Sequence, residues 1–541
     1  MPVDFPQAER SDADRYNTMK AIAFVYAGNI NSYALASLRG GKSAFERSIE
    51  RAGKFPETDA IVVLCSPDSR IEIPASPDYR LCVLSDGNTA ASLFECMEKE
   101  SGDYDHAWFA WADRPFYDPE GARKLFELHE RSRAEYTFAD GYPAGLMPEI
   151  LARGIIPVLA RMARDSALRV TRNVVFDTLK REINSFDIET VLSPVDLRQL
   201  RVDFSCDTAG NTLLCESFAD ITADTAPALV EERGDSLRTL PAYYQIQIAG
   251  GCPHECVYCP YPAWSSGGVS RSPGKKVTDR SDFMSLSDYS NLMGKIAAFS
   301  REAVVSLSLW GECSGHPDIV EIARETLSHP GLSLVIETTG LGWNGSAIEE
   351  ISKISASVRN AGEEPRINWI VSLDAAGSAL YGSVHGVSDP AVADSNLRTA
   401  MDLVFSLETL FPGAVWPQML RLRESEQEVE TFYRFWKEKL GRVIIQKHDH
   451  FCGSITDRRV ADLSPLVRHP CWHIKRDMCI MLDGTVPQCR EDLHALRPLG
   501  NAFEEALPEI WKAGAEVYRQ HRNRIYEGLC GACDEFYTYN F

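Results

Sequence analysis

The sequence predicts an α/β protein built from several domains. Three observations predict it. Short β-rich runs alternate with amphipathic stretches from Lys20 to about Phe218, the alternation restarts at Tyr243, and it breaks after about Leu463 into a cysteine-punctuated tail. A chain of 541 residues has room for roughly three to four domains. The expected divisions are a tail over 1–18, a first α/β domain over 19–219, a linker over 220–240, a second α/β domain over 241–462 and a small terminal domain over 463–541.

In the first region AIAFVYAG, AIVVLC and HAWFAWAD are almost wholly apolar, as strands buried in a parallel sheet are. SAFERSIERAG and EGARKLFELHERS are helical in pattern. Asp220 to Thr239 has mixed charge and is expected to connect the domains. The second region offers six strands: YQIQIAG, VVSLSLWG, SLVIETTG, INWIVSLDA, VWPQMLRL and RVIIQKH. Helical stretches such as LSDYSNLMGKIAAFS, DIVEIARETLS and EVETFYRFWKEKL fall between several of them. Six strands so connected predict a partial (β/α)6 barrel of TIM type, with function at the strands' C-terminal ends. No internal repeat or low-complexity segment occurs.

Lys and Arg number 56 against 77 Asp and Glu, a net charge of −21. That balance argues against bulk binding of nucleic acid or an anionic membrane. No apolar run is long enough to span a bilayer, and MPVDFPQAERSDADRYNTMK lacks the apolar core of a secretory signal, so a cytoplasmic location is expected. Fifteen cysteines in a reducing compartment point to metal more than to disulfides. Cys65, Cys82, Cys96, Cys206 and Cys215 are scattered, several in apolar contexts, and are expected to be buried small hydrophobes.

The loop AGGCPHECVYCPYP follows the first barrel strand and carries Cys252, Cys256 and Cys259. Three thiolates on one loop can hold three irons of a [4Fe-4S] cluster and leave the fourth open to a small molecule. A zinc site completed by His254 or a distant residue is the alternative.

This loop resembles that of the radical SAM superfamily, with Tyr258 as the aromatic residue before the third cysteine. SLSLWGECSGHPDI is similar to the family's Gly-Gly-Glu-Pro segment through Gly311 and Glu312, with Trp310 and Cys313 replacing the flanking Gly and Pro. LVIETTG is similar to the strand-end Thr-Asn-Gly segment, and IVSLDAAGSALYGSVHG to the segment that reaches the S-adenosylmethionine (SAM) ribose, through Ser372 and Asp374. The resemblance implies a SAM-binding [4Fe-4S] cluster on the three cysteines, with Glu312, Ser372 and Asp374 seating SAM. It also implies a 5′-deoxyadenosyl radical that abstracts substrate hydrogen, and a flavodoxin- or ferredoxin-like reductant. On general grounds Glu312 also reads as a surface acid, and Ser372 and Asp374 as helix caps. Gly340, Gly342 and Gly345 spell a dinucleotide-type G-x-G-x-x-G, but the next acidic strand end, Asp374, comes too late for a ribose carboxylate. The segment is expected to be a strand–helix loop.

The tail holds Cys471, Cys479, Cys489, Cys530 and Cys533. DGTVPQC, GNAFEEALPEIW and LCGAC resemble the twitch domain, the shortened SPASM domain, with Cys471, Cys489, Cys530 and Cys533 at the matching positions. That implies one auxiliary [4Fe-4S] cluster, two clusters in all. A four-cysteine zinc site is the alternative. Cys479, on the β-like run CIMLDG, is expected to be a buried thiol, or else a substitute for Cys471.

Residues 20–218 resemble the GT-A nucleotidyltransferase-like fold, especially cytidylyltransferases acting on polysaccharide sugars. WADRPFYDPEG puts Asp113 at that family's metal position, Tyr142, Pro143, Gly145 and Glu149 match a second segment, and Arg201 and Asp203 a third. AGNINSYALASLRGGKS lacks the early basic pair, since Arg39 and Lys42 come late, beside Gly40 and Gly41. A binding domain is therefore favoured over an active transferase using a divalent metal at Asp113 and Asp203. The whole order is similar to that of spiro-SPASM proteins. The expected function is hydrogen abstraction from a sugar, nucleotide-sugar or glycan, with peptide modification, cytidylyl transfer and a non-catalytic iron–sulfur protein as alternatives. No catalytic acid or base is legible. Lys447, His448 and His450 end a barrel strand and read first as a polar loop, and SSGGVSRSPGKK as either a closing loop or a linker.

Overall fold

The computed structural model describes residues 19–69, 71–164, 166, 168–262, 282–358 and 365–538. The expected tail over 1–18 and the glycine-rich segment over 265–276 lie outside the described residues. Contacts divide the chain into two units, Met1–Leu237 and Arg238–Phe541.

In the first unit the strands are β1 (Ala21–Tyr26), β2 (Thr58–Cys65), β3 (Arg80–Val83), β4 (His106–Trp111), β5 (Tyr136–Asp140), β6 (Glu149–Ala152) and β7 (Ile188–Leu192). They form one sheet in the order β3-β2-β1-β4-β6-β5-β7. The apolar runs AIAFVY and HAWFAW become the central β1 and β4, buried at every position. The sheet is not all parallel as the alternation predicts, because β6 runs antiparallel to both β4 and β5. Residues 141–148 are too few for a crossover helix, so the chain returns in the opposite direction. Helix Ala44–Ala52 starts at a reciprocal Ser43–Glu46 capping box. Helix Pro119–Ser132 starts where Asp118 caps the Glu120 amide, with Pro in its first turn.

The expected connector is partly helical. Ala226–Glu232 forms a helix because Pro227 suits its first turn and Ala226 and Val230 are buried. Cys82 and Cys96, expected as separate thiols, are joined in a disulfide between β3 and helix Ala90–Glu100.

In the second unit the six strands read from sequence are β8 (Tyr243–Ile246), β9 (Ala303–Ser306), β10 (Leu332–Thr338), β11 (Ile367–Ser372), β12 (Val415–Arg421) and β13 (Ile444–Lys447). A seventh, β14 (Asp477–Ile480), comes from the cysteine-rich tail and pairs parallel with β8. The order is β13-β12-β11-β10-β9-β8-β14, all neighbours parallel. Helices such as Leu286–Ser300, Ile319–Ser328, Gly345–Ser357, Pro390–Leu410 and Val429–Leu440 join successive strands. This is the partial barrel, and one apolar core unites its strands with those helices. The tail adds a short antiparallel pair, β15 (Thr485–Val486) and β16 (Gly500–Asn501). Among the described residues no helix is long and apolar enough to cross a membrane.

Candidate functional site

The loop after β8 carries Cys252, Cys256 and Cys259. It is held against helix Ser378–His385, where the amides of Glu255 and Val257 donate to the carbonyls of His385 and Val384. The loop after β9 closes on it. Gly311 has φ +81°, and a Cβ there would lie 2.1 Å from the Ala249 carbonyl oxygen, so only glycine fits. The Glu312 amide then donates to the Gly251 carbonyl at 2.6 Å. Cys252, Cys256, Cys259, Tyr258 and Gly311 line one cavity of about 160 Å³. Cys256 Sγ sits 3.2 Å from His385 Nδ1. Burial raises the Cys256 thiol well above its ordinary pKa and pushes Cys259 up to about 11.

The other expected SAM-seating residues are not in that lining. The Glu312 carboxylate accepts from the Thr338 hydroxyl at 2.6 Å and the Thr339 amide at 2.8 Å, bracing the end of β10. Asp374 is fully buried at φ +57°. It accepts from Tyr258 Oη at 2.6 Å and the Leu420 amide at 2.7 Å, and burial lifts its pKa to about 6. Ser372 accepts from Gln418 Nε2 at 3.2 Å. Gly340 and Gly342 lie in the loop between β10 and helix Gly345–Ser357, both at positive φ.

The tail brings together more thiols than were matched from sequence. Cys533 is the shared neighbour whose charge acts on Cys471, Cys489 and Cys530. Sequence reasoning missed Cys452, whose thiol hydrogen-bonds Cys533. It lies outside the tail motif, on a turn after β13 at φ +52°, so no spacing signal marks it. Cys479 is buried on β14 among Tyr261, Leu309, Trp310 and Phe451. Backbone and side-chain donors already face the tail sulfurs: the Glu535 amide to Cys533 and Gln488 Nε2 to Cys530, both at 3.3 Å.

Zinc asks for closely gathered sulfurs. Four thiolates on zinc at about 2.3 Å stand roughly 3.8 Å apart. Among the described residues no three cysteine sulfurs lie within 4.8 Å of one another. Both groups present thiolates alone, a donor set that an iron–sulfur core takes.

Lys447, His448 and His450 are not a solvated loop. Lys447 pairs with Asp534 at 3.0 Å and with Glu535, and His450 Nε2 lies 3.3 Å from Asp534. Arg490 meets Asp449 at 2.9 Å and Arg459 meets Asp534 at 2.8 Å. The carboxylates of Asp449, Asp534 and Glu535 come close enough together to hold a metal, but these cations already neutralise them. Lys447, Arg490, Ser308, Glu337 and Gln446 line both the cysteine cavity and an adjoining one of about 620 Å³. Burial raises the Glu337 carboxyl above its ordinary value, with Arg490, Gln418 and Ser308 opposing.

In the first unit Asp113 receives Arg172 through both oxygens, at 2.9 Å and 2.5 Å, and Arg172 also reaches Asp207 at 3.2 Å. The guanidinium lies 4.5 Å from the centre of the Trp111 ring. Asp203 faces Arg114 at 3.4 Å. Tyr142, Pro143 and Gly145 follow β5, and Gly145 (φ +93°) packs on the Phe204 carbonyl. Glu149 accepts from Tyr136 Oη at 2.8 Å, and burial raises its pKa to about 7. Arg201 stands at φ +47°, Lys42 pairs with Glu50, and Gly40 and Gly41 form a positive-φ turn beside Arg39.

The SPASM family, an iron–sulfur cluster-binding domain, matches residues 471–534. A Treponema pallidum (strain Nichols) protein, described as uncharacterized, is 44% identical over 370 residues, 68% of this chain and 98% of the relative. The chain belongs to one family with this Treponema protein. Its residues 471–534 are an iron–sulfur cluster-binding SPASM domain. A second protein of the same organism is 31% identical over 163 residues, 27% of this chain and 74% of its own length. Similar solved structures include BtrN in complex with AdoMet and 2-DOIA (17% identity, 55% of this chain and 94% of that one, TM-score 0.35). Streptococcus suis SuiB bound to precursor peptide SuiA is 15% identical (71% and 84%, TM-score 0.41). A cytidylyltransferase from Leptospira borgpetersenii is 14% identical (40% and 95%, TM-score 0.33).

Proposed function

We propose that the chain is a radical SAM enzyme with two [4Fe-4S] clusters, and that it abstracts hydrogen from a polyhydroxylated small molecule, a sugar or nucleotide-sugar, with the tail cluster relaying an electron. The observation that carries the reading is the cavity of about 620 Å³ that shares the polar residues Ser308, Glu337, Gln446, Lys447 and Arg490 with the three-cysteine cavity. Its other polar lining includes Gln245, Gln418 and Thr538, donors and acceptors suited to hydroxyl groups.

On this reading Cys252, Cys256 and Cys259 hold the first cluster. When bound, cluster and SAM supply a 5′-deoxyadenosyl radical. Tyr258 and Asp374 hold the cysteine loop in place through their 2.6 Å hydrogen bond, and the Gly311–Glu312 backbone fixes its other side. Glu337, its pKa raised by burial, is placed to take a proton from a substrate hydroxyl. Cys471, Cys489, Cys530 and Cys533 hold the auxiliary cluster. The first unit, on our reading, binds a ligand without transferring a nucleotide, because Asp113 is already committed to Arg172. Pyrophosphate release from CTP and a sugar acid would overturn that part.

The test uses reconstituted protein, SAM and a strong reductant without oxygen. Size-fractionated extract from cells grown in deuterated medium is added, and deuterium is read in 5′-deoxyadenosine. Label is expected with the small-molecule fraction and absent from a Cys256→Ala variant. Label arising only with the macromolecular fraction overturns the small-molecule reading and points to peptide, protein or glycan.

A further inference from the structure

The first unit contains a side-chain cluster that the reading above leaves unused. His106 opens β4, while His129 and Glu130 lie in the last turn of helix Pro119–Ser132. One ligand-capable atom from each residue lies within 4.8 Å of the other two. His106 Nε2 is 2.9 Å from Glu130 Oε1, and the two imidazole rings meet edge to face at 5.2 Å. His129 is 1% exposed and His106 8%. His129 Nδ1 pairs with the buried Thr137 hydroxyl at 2.9 Å.

The two remaining ring nitrogens, His129 Nε2 and His106 Nδ1, are buried with no hydrogen-bond partner. The His106–Glu130 pair uses His106 Nε2, so His106 Nδ1 cannot join the same ion, and His129 Nε2 is the orphan that the cluster has to account for. Buried polar atoms are normally satisfied, so an orphan nitrogen on a ring that is 1% exposed requires an explanation.

We propose that His106, His129 and Glu130 form a zinc site, separate from the iron–sulfur clusters. Ligands on a tetrahedral zinc at about 2.0–2.1 Å stand roughly 3.4 Å apart. The 2.9 Å between His106 Nε2 and Glu130 Oε1 lies close to that value. Two imidazoles and one carboxylate suit zinc, whereas magnesium and calcium demand all-oxygen shells. Water completes the shell. The ion fastens the end of helix Pro119–Ser132 to the start of β4.

The full chain, with its clusters reconstituted, is stripped with a chelating resin and titrated with zinc or cobalt(II) salts. Wild type is expected to take up about one zinc per chain in addition to its iron. Cobalt should give weak ligand-field bands with no sulfur-to-cobalt charge transfer. His129→Gln and Glu130→Gln are each expected to lose at least about tenfold in affinity. Glu130 is only half-buried, so that variant keeps the test open if His129→Gln fails to fold. Equal uptake by variants and wild type, no uptake by wild type, a thiolate-type cobalt spectrum, or preferential retention of ferrous iron at this site would each overturn the assignment.

Discussion

At Asp113 the sequence and the structure part company within one side chain. The Asp-x-Pro strand end is legible, and it sets a carboxylate where a divalent cation is expected. Arg172 lies 59 positions later on a different element, and it places its guanidinium on that carboxylate and on Asp207. No local spacing announces such a pairing, because only the folded sheet brings the two segments together. The same holds for Cys452, which meets Cys533 from a turn outside the tail motif. Removing the arginine would leave two carboxylates facing each other without a counter-charge, the situation that recruits a metal ion. Arg172→Ala is therefore expected to give the first unit a manganese-dependent rise in melting temperature that the parent lacks. A variant indifferent to manganese would mean that Asp113 and Asp207 do not form a latent cation site.

At the scale of elements, the apolar runs made β1, β4 and β8 to β12 readable, since a strand largely buried on both faces needs little besides apolar side chains. β6 and β14 were harder. β6 turns back because its connection is short, and β14 belongs by sequence to the tail but by hydrogen bonding to the barrel. The three-cysteine motif was plain as spacing, yet the contact that positions it was not. The loop after β9 supports the loop after β8 through Gly311, whose missing Cβ lets the backbones touch. Gly311→Ala combines positive φ with a clash against the Ala249 carbonyl, and it should cost about 2–4 kcal/mol. Denaturant unfolding of the second unit should show the loss, with iron incorporation at the first cysteine group falling in parallel. Unchanged stability would mean that the two loops move apart freely.

At the scale of the whole molecule, each of the two units has its own buried core. Calorimetry is expected to show two transitions. Cys489→Ser should lower iron from about eight to about four per chain. It should also lower the melting of the second unit alone, because a bound group stabilises only the fold that binds it. A shift of both transitions would show that the units unfold together. The pairing of β14 with β8 has a further consequence, for synthesis. On the ribosome β8 emerges first among the barrel strands, and its outer neighbour begins only at Asp477. At about 5–20 residues per second, β8 waits on the order of ten seconds or more as an uncovered edge, open to mispairing in the nascent chain.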